Sequence, residues 1–496
     1  MSTEIRSFIA GRDADVAGWI EREDPARPTE TAGRVSTVDR SAAAAAVDAA
    51  DAAFDEWARR PPEERIALLQ EATHRVDAKR EHLAEQLTRE LGKVISDTRG
   101  EISFTSAFVD YCAGQVAEVL QPRVIDDHQG RVEVIPEPFG AVAAITPWNA
   151  PIILAMLKVA PALLTGNTIV VKPSPLAPLA VTDLLATLAA SLPPGVLNVI
   201  NGGGEVGAAI IGHPRSRKVA FTGGGSTATS IMRSAAEGVK PLVLELGGND
   251  PAIFLEDATL SGEVMERAVF GSFLTTGQVC MAAKRLYVHA SRFDAFVDAY
   301  LEAADRVLII GDPCDEEVTV GPMATSTEVD RVQRLIDDSV ERGATAHELG
   351  TIRHPELAAS GYYLRPTLVV GADPGDDVVV AEQFGPVVPI LPFEDEAEVV
   401  RLANEDPLGL ASSVWSSDEG RALALARQLR CGYTFINSHN RSGLTLRAPF
   451  GGFRGSGFGR EFGAEGLREY VQPHAVHVPG GVRSGATGQG NAYPVQ

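Results

Sequence analysis

The sequence predicts a doubly wound α/β architecture: a parallel-sheet domain, a second α/β domain in series with it, and a small β element. Three observations lead there. From Gly140 onward the short apolar runs AVAAI, TIVVK, VLNVI, KVAFT and LVLEL alternate with helix-like stretches such as LAVTDLLATLAASL, and such alternation builds a parallel sheet covered on both faces. From Pro251 to about Asn437 the same texture returns. The 496 residues also exceed what one hydrophobic core organises, so two or three domains are expected.

The N-terminal stretch MSTEIRSFIAGRDADVAGW has no basic patch leading into a long apolar run, so neither a signal peptide nor a membrane anchor is expected. From Ser41 to about Leu120 the chain is rich in Ala, Glu, Arg and Leu at helical spacing, punctuated by Pro61-Pro62 near a helix start. This is read as a helical layer. Val119 to Glu137 alternates apolar and polar residues about Gln129-Gly130, which suggests a hairpin, with the strand-like segment Tyr470 to Val478 as its partner. The apolar run from Ala141 to Ala162 is interrupted by Pro147, Trp148, Asn149, Pro151, Lys158 and Pro161 and makes no membrane span. In the second block come RLYVH, amphipathic stretches from Phe293 to Val307 and Val329 to Arg342, then VVVAEQF, VVPIL and SSVWS. The Gly-rich, polar end PGGVRSGATGQGNAYPVQ is read as a flexible tail.

Composition narrows the partners. A hydrophobic fraction of 45% with 22% charged residues is ordinary for a soluble globular protein. The net charge of −22, from 44 basic and 66 acidic residues, repels phosphate backbones and anionic lipid, so neither nucleic acid nor a membrane is an expected partner. Cys112, Cys280, Cys314 and Cys431 show neither disulfide-like nor metal-like spacing. A reducing, cytoplasmic setting without a metal follows.

Several residues stand out as chemistry. Cys280, in SFLTTGQVCMAAKR, follows Gly277, which permits a tight turn just before the thiol; on this feature alone an inert buried cysteine is the commoner outcome. Glu245 ends the apolar run PLVLEL ahead of Gly247-Gly248, at the carboxyl edge where open α/β sheets form ligand crevices. A buried glutamate there can rise toward neutral pH and act as a general base, or simply pair with a neighbouring cation. Asn149, in ITPWNAP, is either a turn asparagine or a fixed amide donor for an oxyanion. NGGGEVG (201–207) and FTGGGS (221–226) follow strand-like runs and expose backbone N–H groups suited to a pyrophosphate, although neither has the G-x-G-x-x-G spacing.

Taken in order, PWN, VVKPS, FTGG, LELGG, GQVC, EQFGP and PFGGFRGSGFGRE resemble the aldehyde dehydrogenase superfamily over nearly the whole chain. The filled Glu245 position resembles the non-acylating, carboxylate-forming branch. The resemblance implies NAD(P)-dependent oxidation of an aldehyde to an acid, with Cys280 as nucleophile, Glu245 as general base, and Asn149 with the Cys280 backbone N–H as oxyanion hole. A thiohemiacetal and then a thioester on Cys280 are implied. NAD or NADP is the implied cofactor. Lys172 matches the lysine that meets its adenosine ribose, Trp148 and Gly223 match positions lining the adenine-side ribose and pyrophosphate, and Glu382 and Phe384 match the pair at the nicotinamide ribose and ring. Ile145, Thr146, Pro147, Ser174, Pro175, Gly203, Gly207, Phe221, Thr222, Gly224 and Leu246 are the other implied cofactor-binding positions. Ala150, Leu154, Leu157, His439 and Phe450 are the implied aldehyde pocket, mostly apolar.

This chain departs from the family's pattern at Pro175, where NAD-preferring members carry a ribose-binding glutamate, and at Thr275, Gly224, Ala228 and Arg454. The implied domains are a dinucleotide-binding domain (1–117 and 140–246), a catalytic domain (247–445), an oligomerisation element (118–139 and 446–480) and the tail (481–496). A homodimer or homotetramer is implied. A thiol-dependent esterase and a cofactor-binding, non-catalytic homologue are the alternatives.

Overall fold

In a computed structural model, which describes residues 3–480, the apolar runs that follow Gly140 lie side by side. Leu197–Val199, Thr168–Lys172, Ala141–Ile145, Ser216–Thr222 and Leu242–Glu245 pair in that order, all parallel. Ala141–Ile145 comes first in the chain yet sits in the middle, because later strands are added on one side and then on the other. The reversal opens a crevice beyond the carboxyl ends of Ala141–Ile145 and Ser216–Thr222, where open α/β sheets bind ligands.

The runs lack polar interruptions because both faces are covered. Val142, Ala144, Ile169 and Val171 join a core with the helices Pro62–Asp77, Arg80–Leu91, Ile95–Val119, Pro151–Leu164 and Leu179–Ala189. Their neighbours Ala141, Ala143 and Val170 join the opposite core with Arg40–Arg59, Gly204–Gly212 and Gly225–Ala236. Alternate residues point to opposite faces, so a strand buried on both is apolar throughout. Asp39 starts the helical layer by accepting the Ala42 N–H at 2.8 Å.

A second sheet runs Thr345–Glu348, Thr367–Val370, Val387–Phe393, Ala283–His289, Asp250–Phe254, Ala411–Trp415 and Tyr433–Ile436, parallel except at its first pair. Again the earliest strand, Asp250–Phe254, is central. The run VVVAEQF makes no strand: Asp377–Val380 is a single helical turn and 382–385 a loop. The Asp373 N–H is held by the Asp376 carboxylate at 2.9 Å, and Phe384 adopts a φ of 42°, both incompatible with extension.

The hairpin Arg123–Asp127 and Gly130–Pro138 pairs antiparallel with Val471–Pro479, forming a three-stranded arm. Only that last strand of 446–480 joins the arm, however. Gly457–Phe458 pairs with Leu242–Glu245 at the edge of the first sheet, and Gly463–Arg468 packs on Ile95–Val119. PFGGFRGSGFGRE has no alternating apolar pattern to extend an arm, and its glycines allow close backbone approach instead. Before residue 40 the sequence reading assigned nothing, yet Gly18–Asp24 and Arg27–Thr37 form a hairpin about Pro25-Ala26, joined by Thr3–Ile5. Residues 481–496, read as a flexible tail, lie outside the described residues. Among the described residues no helix is long and apolar enough to cross a membrane.

Asn167 fastens the arm to the first sheet. Fully buried, it accepts the N–H groups of Phe139 (2.8 Å) and Gly140 (3.1 Å) and donates to the carbonyl of Tyr470 (2.8 Å) and to the Thr165 hydroxyl (2.9 Å). Asn167→Ala strands these groups without water and is expected to lower the unfolding free energy by about 2 to 4 kcal/mol. Denaturant unfolding measures it; a loss below about 0.5 kcal/mol contradicts this role for Asn167.

Candidate active site

A crevice of about 990 Å³ follows the carboxyl edge of the first sheet and is closed by residues of the second domain. Ile145, Thr146, Pro147, Trp148, Lys172, Ser174, Pro175, Gly203, Gly207, Phe221, Thr222, Gly223, Gly224, Leu246, Glu382 and Phe384 all line it, together with Asn149 and Cys280. The structure therefore gathers the segments matched to the cofactor around one cavity.

One end suits an anion flanked by a ribose. The helix Gly225–Ala236 begins at Gly224 with no side chain capping its first turn, so unpaired N–H groups and the positive end of the helix face the cavity. Ser226, Thr227 and Ser230 of that helix also line the cavity. Gly207 leaves room against the first sheet, since a β-carbon there would lie 3.2 Å from the Ile145 side chain. Lys172 is almost fully buried; burial pulls its ammonium down to about 8, opposed by Glu205. Pro175 presents no carboxylate at this end.

The other end is aromatic and acidic. Phe384 meets Trp148 edge to face at 5.5 Å. Glu382 accepts the Gly248 N–H at 3.1 Å, and burial pushes its carboxyl up to about 7. Arg331 holds the backbone of this loop, donating to the Gln383 carbonyl at 2.5 Å, and its guanidinium pairs with Glu328 at 2.7 Å. The donors and shapes present fit a nicotinamide dinucleotide along the crevice.

Cys280 lines the crevice between these ends, after a turn in which Thr275, Thr276 and Gly277 take φ values of 53°, 57° and 71°. Two β-branched residues in the left-handed region cost about 1 to 3 kcal/mol each and persist only where their surroundings hold them. Thr275 donates to Asp97 at 3.2 Å and Thr276 to the Gly321 carbonyl at 3.0 Å. Gly277 is required twice over, since a β-carbon there would lie 2.3 Å from the Gly385 carbonyl.

Asn149 is fixed beside the thiol. Its Nδ2 donates one hydrogen to the Gln278 carbonyl at 3.0 Å, its own carbonyl accepts from Lys93 at 2.9 Å, and Lys93 pairs with buried Glu101. A planar amide keeps a second N–H for a ligand. Glu245 is buried at the end of Leu242–Glu245, and neither carboxylate oxygen has a hydrogen-bond partner. Burial and then Glu461 push its carboxyl well above the usual range, opposed by Lys158 and Arg460. Lys158 itself donates to Glu461 and to the Thr222 hydroxyl, both at 2.7 Å. Burial also pushes the Cys280 thiol far up, with Asp250, Glu245, Glu382 and Glu461 adding to it. At rest the thiol keeps its proton, and an orphaned carboxylate of raised basicity lies close by to receive it.

The aldehyde pocket needs correction. His439 is completely buried, its Nδ1 hydrogen-bonded to the Ser413 hydroxyl at 2.8 Å and its Nε2 facing Asp250 at 3.8 Å. It is a core residue and reaches no ligand. Leu157 and Phe450 are likewise interior, in the core shared with Ile102 and Phe108. Ala150 and Leu154 stay partly exposed. Leu154, like Cys280, Met281, Leu444 and Leu446, is partly buried against that core. Motifs gave no sign of Glu328 and Arg331, which come from a helix of the second domain, nor of the Lys158–Glu461 pair, whose members lie far apart in the chain. Of the departures, Thr275 uses its hydroxyl to hold Asp97, Ala228 fills a core position, and Arg454 donates to the carbonyls of Asn404, Leu408 and Arg430.

A family model, the aldehyde dehydrogenase family, matches residues 13–476. The chain is 35% identical over 475 residues to the glutarate-semialdehyde dehydrogenase of Pseudomonas putida, covering 94% of this chain and 96% of that protein. It is 34% identical over 472 residues to the NADP(+) succinate-semialdehyde dehydrogenase of Escherichia coli, covering 93% and 94%. Its fold matches the crystal structure of an NAD-dependent aldehyde dehydrogenase from Sinorhizobium meliloti with a TM-score of 0.91 and 33% identity, over 97% of this chain and 95% of that one.

The raised thiol has a measurable consequence. A thiolate forms only as pH climbs past the group's own value, so alkylation of Cys280 by iodoacetamide, followed by peptide mass spectrometry, is expected to keep accelerating beyond about 8.5, where an ordinary cysteine levels off. A plateau at or below that value contradicts the electrostatic picture.

Proposed function

The chain belongs to the aldehyde dehydrogenase family, and from that premise we propose that Cys280, Glu245 and Asn149 carry out its reaction at the crevice. The reaction is the oxidation of an aldehyde to a carboxylic acid with NAD(P)+ as acceptor. The observation that carries the assignment is geometric: thiol and amide line one cavity, and Glu245, buried behind its lining without a hydrogen-bond partner, is near enough to act on the charge of the thiol.

In the proposed cycle the Cys280 sulfur adds to the aldehyde carbon while the thiol proton passes to Glu245. The oxyanion is held by the free Asn149 N–H and the Cys280 backbone N–H. When bound, the nicotinamide supplies a two-electron acceptor and the carbon is left as a thioester on Cys280. Glu245, having passed the thiol's proton on to solvent, then takes a proton from water, the resulting oxyanion occupies the same two donors, and the acid departs as the sulfur regains a proton from Glu245. Glu382, Phe384 and Trp148 orient the nicotinamide end, while Lys172 and the start of Gly225–Ala236 hold the adenosine and pyrophosphate.

For the aldehyde, the matched pocket positions that stay partly exposed, Ala150 and Leu154, are both apolar, which supports an apolar substrate over a charged semialdehyde. For the cofactor, a proline at 175 leaves no carboxylate against a 2′-phosphate, which supports use of both NAD and NADP. Val124, Ile125, Val476 and Val478 are exposed on an arm with two open edges, which supports a homodimer or homotetramer. The cysteine usage supports a cytoplasmic site. The relatives support the dehydrogenase and lend nothing to the esterase or the non-catalytic homologue.

Purified protein given either cofactor and a panel of aliphatic, aromatic and acidic aldehydes is expected to generate reduced cofactor, and Cys280→Ala to abolish it. Glu245→Gln should slow turnover roughly 10²- to 10⁴-fold, and Asn149→Ala roughly 10²- to 10³-fold. Retained turnover in Cys280→Ala overturns the assignment. On cofactor choice, values of kcat/KM for NAD and NADP within about tenfold of each other are expected, a difference of about 1.4 kcal/mol. Rejection of either cofactor contradicts the reading of Pro175.

A further inference from the structure

Lys284 is one of the largest fully buried side chains, and among the described residues no carboxylate forms an ion pair with it. It lies on Ala283–His289, four residues beyond Cys280, and the cycle described above makes no use of it. Its Nζ donates to the Gly385 carbonyl at 2.6 Å and lies 3.5 Å from the Ser272 carbonyl, in the last turn of Gly262–Phe273. A β-carbon on Gly277 would sit 2.7 Å from this amine and 2.3 Å from the Gly385 oxygen, so turn, loop and amine meet with no room for a side chain. The loop is tied to the same strand a second time, through the Gln383 amide on the Lys284 carbonyl at 3.3 Å.

Both joined segments are strained. Thr275 and Thr276 lead to the nucleophile in left-handed conformations, and Phe384, which faces Trp148, is left-handed too. Such strain persists only when neighbouring contacts over-determine it. An unpaired buried amine is costly, and an apolar methionine would fill most of the space without that cost, so the gain lies in the bond that the amine makes.

We propose that Lys284 is a positioning residue, whose amine ties the loop 382–385 to the turn 275–277 and so fixes the nicotinamide end of the crevice at its distance from Cys280. This rests on the assignment of Cys280 and Phe384 made above. Glu382 and Arg331 are the charges that face the amine; burial draws it down to about 7, against the pull of Glu382 and with the help of Arg331.

Two variants test it, both one heavy atom shorter than lysine: Lys284→Met, which has no donor, and Lys284→Gln, which keeps one. Hydrogen exchange in the cofactor-free protein is followed over 272–281 and 381–388, and kcat is compared with KM. Lys284→Met is expected to speed exchange at least about tenfold in both segments while the rest of the second sheet is unchanged; Lys284→Gln gives about threefold or more. In the methionine variant kcat falls at least about tenfold while KM for the aldehyde stays within about threefold, as a misplaced reacting centre requires. Unchanged exchange in either segment of the glutamine variant overturns the proposal, whether or not the methionine variant folds. So does faster exchange throughout the sheet. If the wild-type protein itself reduced no cofactor, the assignment of function would fail, and the exchange data would still decide the role of Lys284.

Discussion

At Gly277 the turn that leads to the nucleophile passes so close to the Gly385 carbonyl that no side chain fits between them. This contact joins two pieces of chain with separate duties. One carries Cys280; the other carries Glu382 and Phe384. Its closeness forces the left-handed turn at 275–277, and the turn in turn needs Asp97 and the Gly321 carbonyl to hold its two threonines. The site is thus assembled from the second sheet's loops and only then set against the first sheet's edge.

Electrostatics follows from that assembly. A thiol placed among Asp250, Glu245, Glu382 and Glu461 in a dry setting is a poor thiolate at rest, and a carboxylate beside Glu461 is a better base than a free one. The same burial that silences the thiol therefore prepares its proton acceptor. Lys158, bonded to Glu461 and to Thr222, keeps the acidic group from being wholly uncompensated. Replacing either member of that pair would leave a lone buried charge, and such changes typically cost about 3 to 5 kcal/mol.

What the sequence made legible was local and periodic. The runs AVAAI, TIVVK and LVLEL became strands because their unbroken apolar character records burial on two faces, and the glycines at 203, 207 and 223–224 line the crevice at the carboxyl edge of the sheet. The strands before residue 40 left no such trace: Thr3–Ile5 is too short to carry a period, and GWIERED and RPTETAGRVST do not alternate apolar with polar residues. VVVAEQF has the composition of a strand, but the Asp376 carboxylate and the backbone at Phe384 turn it into a helical turn and a loop. His439 lay near the site by its place in the chain and proved to be core, because sequence position does not say to which side a loop residue points. Lys284, Arg331 and the Lys158–Glu461 pair were invisible, since their roles depend on partners tens to hundreds of residues away.

The central claim is that oxidation leaves the acyl group on Cys280 and on no other thiol. It is tested most directly by mixing Glu245→Gln protein with an aldehyde and its cofactor, quenching in acid, and mapping peptides by mass spectrometry. The account predicts that the peptide bearing Cys280 gains the mass of the aldehyde less two hydrogens. An unmodified Cys280 while reduced cofactor is formed, or the same adduct on Cys112, Cys314 or Cys431, would contradict it.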